Sequence, residues 1–298
     1  MPQLIRPTST LFPVAILLLA IICVQVGAAV AKSMFPVAGA LGMVAVRIAL
    51  GTIILGAVLR PWRVRIVPGS RTALAIYGAS LGVMNALYYS ALSRVPLGIT
   101  VALEFTGPLT VAVLASRRPT DFCWAVLAAA GLLLLLPLGP VSTLAQAGAI
   151  DPLGALLALG AGACWALYIV FGQKAGSFYG AQTVALGSII SAILIIPVGL
   201  LVAPPAVYTS AVLVPGLLVA ILSTALPYTL EMMALTRLPT RTFGILMSLE
   251  PAFAALFGYV HLHEHLTSIQ WTAIALIIIA SIGTTASVQQ KVAVPVPD

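Results

Sequence analysis

The chain has 298 residues, 61% of them hydrophobic and only 7% charged, with a formal net charge of +7 and a mean hydropathy of +1.15. A water-soluble domain carries roughly a quarter charged residues, so this composition excludes one and points into lipid. The basic residues fall in short loops between apolar runs, a pattern of membrane topology that argues against nucleic-acid binding.

Ten apolar runs of near-spanning length follow one another along the chain. The first five are Leu11–Ala31, Leu41–Leu59, Ala73–Leu92, Leu97–Ser116 and Phe122–Leu138. The second five are Pro152–Gly172, Thr183–Val202, Ala211–Leu235, Thr242–Leu262 and Ile269–Val288. The first run follows Arg6 as a signal peptide would, but it is long enough to span and reads as an uncleaved helix. Connections carry turn residues: Arg94-Val95-Pro96, Arg118-Pro119-Thr120-Asp121, Ala203-Pro204-Pro205 and Arg237-Leu238-Pro239. No extramembrane domain fits between them. Cys23, Cys123 and Cys164 lie inside apolar runs without paired spacing and read as buried free thiols.

Orientation follows from Lys and Arg. With the N-terminus inside, the cytoplasmic segments hold eleven: Arg6, Arg60, Arg63, Arg65, Arg71, Arg117, Arg118, Lys174, Arg237, Arg241 and Lys291. The outer segments hold two, Lys32 and Arg94, and Arg47 lies within a span. This asymmetry predicts both termini in the cytoplasm and an even number of spans.

An internal repeat sharpens the picture. The stretch ALSRVPLGITVALEFTGP from Ala91 aligns without gaps on ALTRLPTRTFGILMSLEP from Ala234, matching Ala, Leu, Arg and Pro at the start, Leu103 with Leu246 and Pro108 with Pro251. Matches of Leu and Ala between apolar stretches are cheap; matches of Arg and two Pro are not. The copies sit at the third-to-fourth and eighth-to-ninth spans. Five is odd, so the halves, residues 1–140 and 141–298, should be inverted. That is an architecture of alternating access, with the site near the midplane. The predicted fold class is therefore all-α integral membrane, ten transmembrane helices as two inverted five-helix repeats.

The segments GITVALEFTGPLTVAVLASRRPTDF, GAGACWALYIVFGQ and STALPYTLEMMALTRLPTRTFGILMSLEPA resemble the EamA type of the drug/metabolite transporter superfamily. The likeness runs almost end to end, weakening in the tails and around Ala203–Ser210. It implies ten helices in two inverted halves, both termini cytoplasmic, and export of small amino acids such as threonine and homoserine. It does not bring a settled set of substrate ligands.

Site candidates come from residue chemistry. An ionisable side chain within a span costs a few kcal/mol, so each is a functional candidate: Arg47, Glu104, Glu231 and Glu250. Glu104 lies roughly 10 Å inside the outer end of its span, and Arg47 shares its depth. The two are expected to meet, either at a substrate site or as a permanent buried ion pair. Glu250 enters about 12 Å from the cytoplasmic side with no basic partner at that depth. It suits a proton-coupling group or an ammonium receptor; a hydrogen bond to a neighbouring helix is the plainer alternative. Glu231 either belongs to the same site or reaches the interface beside Arg237 or Arg241. Pro108, Pro227 and Pro251 free the carbonyls of Glu104, Ser223 and Met247 from the helix ladder. These carbonyls would form a cradle for a cation or mark mere kinks. Gln25 and Asn85 offer amides, Tyr88, Tyr168 and Tyr228 hydroxyls, and Trp165 an apolar wall. Tyr77 and Trp62 read as an interfacial belt, and Lys32 as a snorkelling residue.

His261-Leu262-His263-Glu264-His265 lacks the metalloprotease order and reads as a polar helix end, not a metal site. Gly160–Gly162 reads as a packing surface, and no nucleotide motif accompanies it. No cofactor is expected. The partners expected are a small amino-acid substrate and the lipid bilayer, with a homodimer left open. The function read from the sequence is an inner-membrane secondary exporter of small amino acids, coupled to protons in antiport. Export of organic cations or other metabolites is the alternative within the class. An intramembrane enzyme is the alternative outside it, and no His lies within a span to support one.

Overall fold

The computed structural model describes residues 11–115, 119–135, 150–235, 237–238 and 240–288, which are helical apart from short connections. In chain order the helices are α1 (Leu11–Ser33), α2 (Phe35–Ala38), α3 (Ala40–Leu59), α4 (Arg71–Leu92), α5 (Leu97–Glu104), α6 (Thr106–Ala115) and α7 (Pro119–Leu135). After them come α8 (Pro152–Tyr179), α9 (Gln182–Val202), α10 (Ser210–Ala220), α11 (Leu226–Leu235), α12 (Thr240–Met247), α13 (Glu250–Leu262) and α14 (Ser268–Val288). Among the described residues, six helical segments are long and apolar enough to cross a membrane: Leu11–Ser33, Ala40–Leu59, Pro152–Tyr179, Gln182–Val202, Ser210–Glu231 and Thr242–Leu262. The apolar segments Leu97–Val111, Phe122–Leu135 and Ser268–Gly283 are shorter. Helix α4, at 22 residues, is long enough but carries Tyr, Ser and Asn.

Punctuation in the sequence becomes punctuation in the fold. Asp151 caps α8, its carboxylate accepting the Leu153 N–H at 3.0 Å, with Pro152 at the first helical position. Helix α8 runs on through Gly172 and Gly176 to Tyr179, and the glycine that leaves the helical conformation is Gly180, at φ 54°. Lys174 consequently sits on the helix, not in a loop.

Three helical paths are broken, each beside a proline. Helix α5 ends at Glu104 and α6 resumes at Thr106, ahead of Pro108. Helix α12 ends at Met247 and α13 begins at Glu250, followed by Pro251. Glu104 and Met247 are aligned residues of the two repeat copies. Between α10 and α11 the chain widens into a π-helical turn, Ile221–Ala225, ahead of Pro227. Proline has no N–H to give to the carbonyl four residues back, and a widened turn is one way a helix absorbs that.

Helix α1 packs along α10, the π-turn and α11; α4 packs on α8, α3 on α9, α7 on α14 and α5 on α13. Lipid tails are as apolar as the helices, so close packing rather than water exclusion holds such a bundle together. Small and large residues interdigitate: one buried cluster sets Ala91, Ala102, Ala155, Ala158, Ala255 and Ala273 among Ile99, Leu103, Ile274 and Ile277, while Ile53, Val58, Leu114 and Leu201 face outward. The tightest crossing joins Gly107 to Gly162. A Cβ on Gly162 would stand 2.6 Å from the carbonyl oxygen of Glu104.

Four expectations are corrected. Tyr77 is not interfacial: it is buried, stacked on Tyr168 with centroids 4.8 Å apart, because Gly172 and Gly187 leave room for its ring. Trp62, by contrast, is exposed. Cys123 is exposed and Cys164 half-buried, since both face away from the packed core; Cys23 is buried. Lys32 does not snorkel but is held by Glu264 and the Val95 carbonyl. The fourth is the longer α8. Arg6, Ser116, Arg117, Arg118, Leu138, Lys291 and the 140/141 boundary lie outside the described residues.

Candidate functional site

A cavity of about 240 Å³ lies among α1, α3, α4, α5, α8, α11, α12 and α13. Its lining includes Arg47, Glu104, Glu231 and Glu250, the four ionisable residues picked out within spans. Asn85, Tyr88, Trp165, Tyr168 and Tyr228 line it as well. Gln25 stands just behind: fully buried, it donates from Nε2 to Glu250 Oε1 at 3.3 Å.

Arg47 is fixed from three directions. Its Nη1 donates to Asn85 Oδ1 at 2.7 Å and to the Tyr89 hydroxyl at 3.3 Å, and its Nη2 donates to the Ser223 carbonyl at 3.0 Å. The guanidinium carbon also lies 5.4 Å from the centroid of the Tyr89 ring. Asn85 is held in turn by α4 itself, giving its Nδ2 to Leu81 O at 2.7 Å. Every acceptor here is neutral. Arg47 makes no ion pair with Glu104, and among the described residues the only salt bridges are Lys32–Glu264 and Arg94–Asp151. The direct Arg47–Glu104 contact expected from shared depth is therefore absent in this conformation, because neutral groups of α4 and the π-turn occupy the guanidinium.

The freed carbonyls have separate fates. Ser223 O, released by Pro227, accepts Arg47 Nη2, and the guanidinium charge beside it disfavours a substrate cation at that oxygen. Glu104 O, released by Pro108, is pressed against Gly162 of α8. A Cα–H facing a carbonyl in this way is a weak donor, suited to an oxygen that has lost its N–H.

The acids are left available. The Glu104 side chain is buried, and its carboxyl takes part in no hydrogen bond among the described residues. Glu250 has one oxygen on Gln25, while its Oε2 and Gln25 Oε1 are buried without a partner among the described residues. Buried oxygens of this kind are costly unless a proton, a water or a ligand supplies a donor. Glu231 faces the cavity rather than Arg237, whose guanidinium lies 5.7 Å from the ring of Phe12. One guanidinium and three carboxyl groups around one cavity can receive a molecule carrying an anionic and a cationic end.

Tyr89 was not foreseen as a site residue. It is fully buried and lies four residues after Asn85 on the same face of α4, a spacing that pairs the two from sequence alone. Phe243 and Met247, also lining the cavity, carried no such signal.

Residues 152–286 match the EamA-like transporter family. The threonine/homoserine exporter RhtA of Escherichia coli strain K12 is 54% identical over 98% of this chain and 97% of its own length. The protein of the same name from Salmonella typhimurium strain LT2 is 53% identical over the same shares. One solved crystal structure of a protein superposes with a TM-score of 0.61 at 20% identity, over 92% of this chain and 98% of that one, a likeness of fold. With full-length relatives this close, the chain belongs to the EamA-like transporter family and is a transporter, not an enzyme.

Proposed function

We propose that the protein exports small amino acids of the threonine and homoserine kind across the inner membrane by alternating access, in exchange for protons. The names of its relatives supply the substrate class. The observation that carries the reading is the cavity, where the hydrogen-bond partners of Arg47 among the described residues are all neutral and where it faces Glu104, Glu231 and Glu250. Arg47 receives the substrate carboxylate, and a glutamate, Glu104 or Glu250, receives the ammonium. Glu250 releases its proton as the ammonium arrives. Organic cations are the second reading, favoured by the excess of acids, but they would leave Arg47 without a counter-charge.

Ten spans in two inverted halves provide the moving parts in this reading, with both termini in the cytoplasm. The support is threefold: the aligned copies from Ala91 and Ala234, the helix breaks after the aligned residues Glu104 and Met247, and the reciprocal packing of α4 on α8 and α1 on α11. Uptake of threonine, homoserine and an organic cation into inside-out vesicles, with and without an imposed pH gradient, tests the proposal. Gradient-driven uptake of the amino acids is the expected result; uptake of the cation alone would overturn it.

A further inference from the structure

One end of the cavity is closed by more than packing. Ala28, Tyr88 and Val101 belong to its wall. Beyond them lies an apolar plug in which Ala28, Leu92, Leu97, Val101 and Ala254 are buried together, with Phe257 packed against them. Above the plug sits a charged knot. Lys32, one turn beyond Ala28 on the same face of α1, brings its Nζ to Glu264 Oε1 at 2.6 Å and donates to the Val95 carbonyl at 2.8 Å. The other oxygen of Glu264 accepts the N–H of Leu97, the first residue of α5, at 2.7 Å. One carboxylate thus joins a lysine to a helix N-terminus, where unpaired N–H groups favour negative charge.

The carboxylate is delivered by a specific turn. Helix α13 ends with His263 in the left-handed region at φ 53°, and the Glu264 N–H returns to Gly258 O at 3.1 Å. Gly258 leaves room for the side chain: a Cβ there would stand 2.5 Å from Glu264 Oε2. Lys32 and Glu264 are mostly buried, with side-chain exposures of 21% and 13%. The knot ties together the end of α1, the α4–α5 connection and the α13–α14 connection.

We infer that Lys32 and Glu264 form a gate that must part before the cavity can open at this end. The identification of this end as the outer face rests on the topology proposed above; the existence of the gate does not. Loading from the cytoplasm proceeds behind the closed knot, and release requires Lys32 to leave both Glu264 and Val95 O.

A single cysteine at Val24, a cavity-lining residue one turn deeper than Ala28, reports the gate when Cys23, Cys123 and Cys164 are replaced by Ala. A membrane-impermeant thiol reagent is applied to intact cells and, separately, to inside-out vesicles. Glu264→Gln keeps an acceptor for Leu97 but removes the charge. It should raise the labelling rate from outside by roughly tenfold, the scale of losing one charge-assisted contact from a two-state equilibrium. Lys32→Met should do the same, Gly258→Ala should do so without changing any charge, and Lys32→Arg should keep labelling slow. If one of these variants fails to insert, the remaining ones carry the test. Acceleration from the cytoplasmic face instead would keep the gate and refute the topology. Acceleration in a protein that moves no amino acid would keep the gate and refute the substrate. Labelling unchanged from both faces would overturn the gate.

Discussion

Replacing Asn85 by Asp asks whether Arg47 serves the fold or the substrate. The Asn85 oxygen lies 2.7 Å from Arg47 Nη1, the shortest of its hydrogen bonds, and the side chain is buried. A carboxylate of the same shape turns that bond into an ion pair, which stabilises a guanidinium otherwise surrounded by neutral acceptors. The same charge repels any carboxylate bound to the opposite edge of the guanidinium. At a separation of about 7 Å and an effective dielectric constant of about 20, the repulsion is ~2.4 kcal/mol. Water in the cavity screens this to about half, or roughly an 8-fold rise in KM for an amino acid. Thermal unfolding in detergent and substrate uptake in proteoliposomes are the two readouts. The expected result is a protein at least as heat-stable as wild type that transports poorly at low substrate and recovers at high substrate. An unchanged KM in a folded Asn85→Asp protein would show that no carboxylate binds Arg47. The companion variant Tyr89→Phe keeps the ring beneath the cation and loses only the 3.3 Å bond, so its KM should change by less than about threefold.

Three further outcomes follow from the same geometry. Glu250→Gln, which preserves the shape beside Gln25, should leave the protein folded and inserted, weaken substrate binding and abolish the response of uptake to an imposed pH gradient; wild-type gradient dependence would move the coupling role to Glu104. Gly162→Ala places a methyl carbon 2.6 Å from the Glu104 carbonyl, so it should lower stability by about 1–3 kcal/mol despite the better helix propensity of Ala, measured as a fall in Tm. Cysteines introduced at Arg63 and at His263 should be labelled from the cytoplasmic and the outer side respectively, and the reverse pattern would refute the charge-based topology.

The sequence was most informative where chemistry conflicts with lipid. Arg47, Glu104, Glu231 and Glu250 were identifiable because charges within apolar runs have no other excuse, and all four line one cavity. Prolines located the broken paths to within a few residues, since the missing N–H acts at a fixed offset. Partners were harder. Shared depth suggested that Arg47 meets Glu104, but depth is one coordinate of three, and rotation about α3 and α4 directs the guanidinium to Asn85 and Tyr89. Lys32 was misread for the same reason: its position at a helix end says nothing of Glu264, 232 residues away along the chain. Tyr77 looked interfacial because the glycines that receive it, Gly172 and Gly187, lie on other helices. Small residues leave little trace in a hydropathy pattern although they decide where large ones go.

The uneven count of charges around the cavity has an electrical consequence. Glu104, Glu231 and Glu250 outnumber Arg47 by two, so an empty site with its acids ionised carries surplus negative charge, which a zwitterion by itself does not cancel. Resetting such a site toward the interior of a cell that is itself negative opposes the field, at about 2.3 kcal/mol per elementary charge for each 100 mV crossed. In the proposed exchange, protons acquired from outside would remove that penalty. Turnover of a substrate with no net charge should therefore respond to membrane voltage, and the voltage dependence should fade as the external solution is made acidic. Current recorded from protein reconstituted on a solid-supported membrane counts the charges moved per cycle directly.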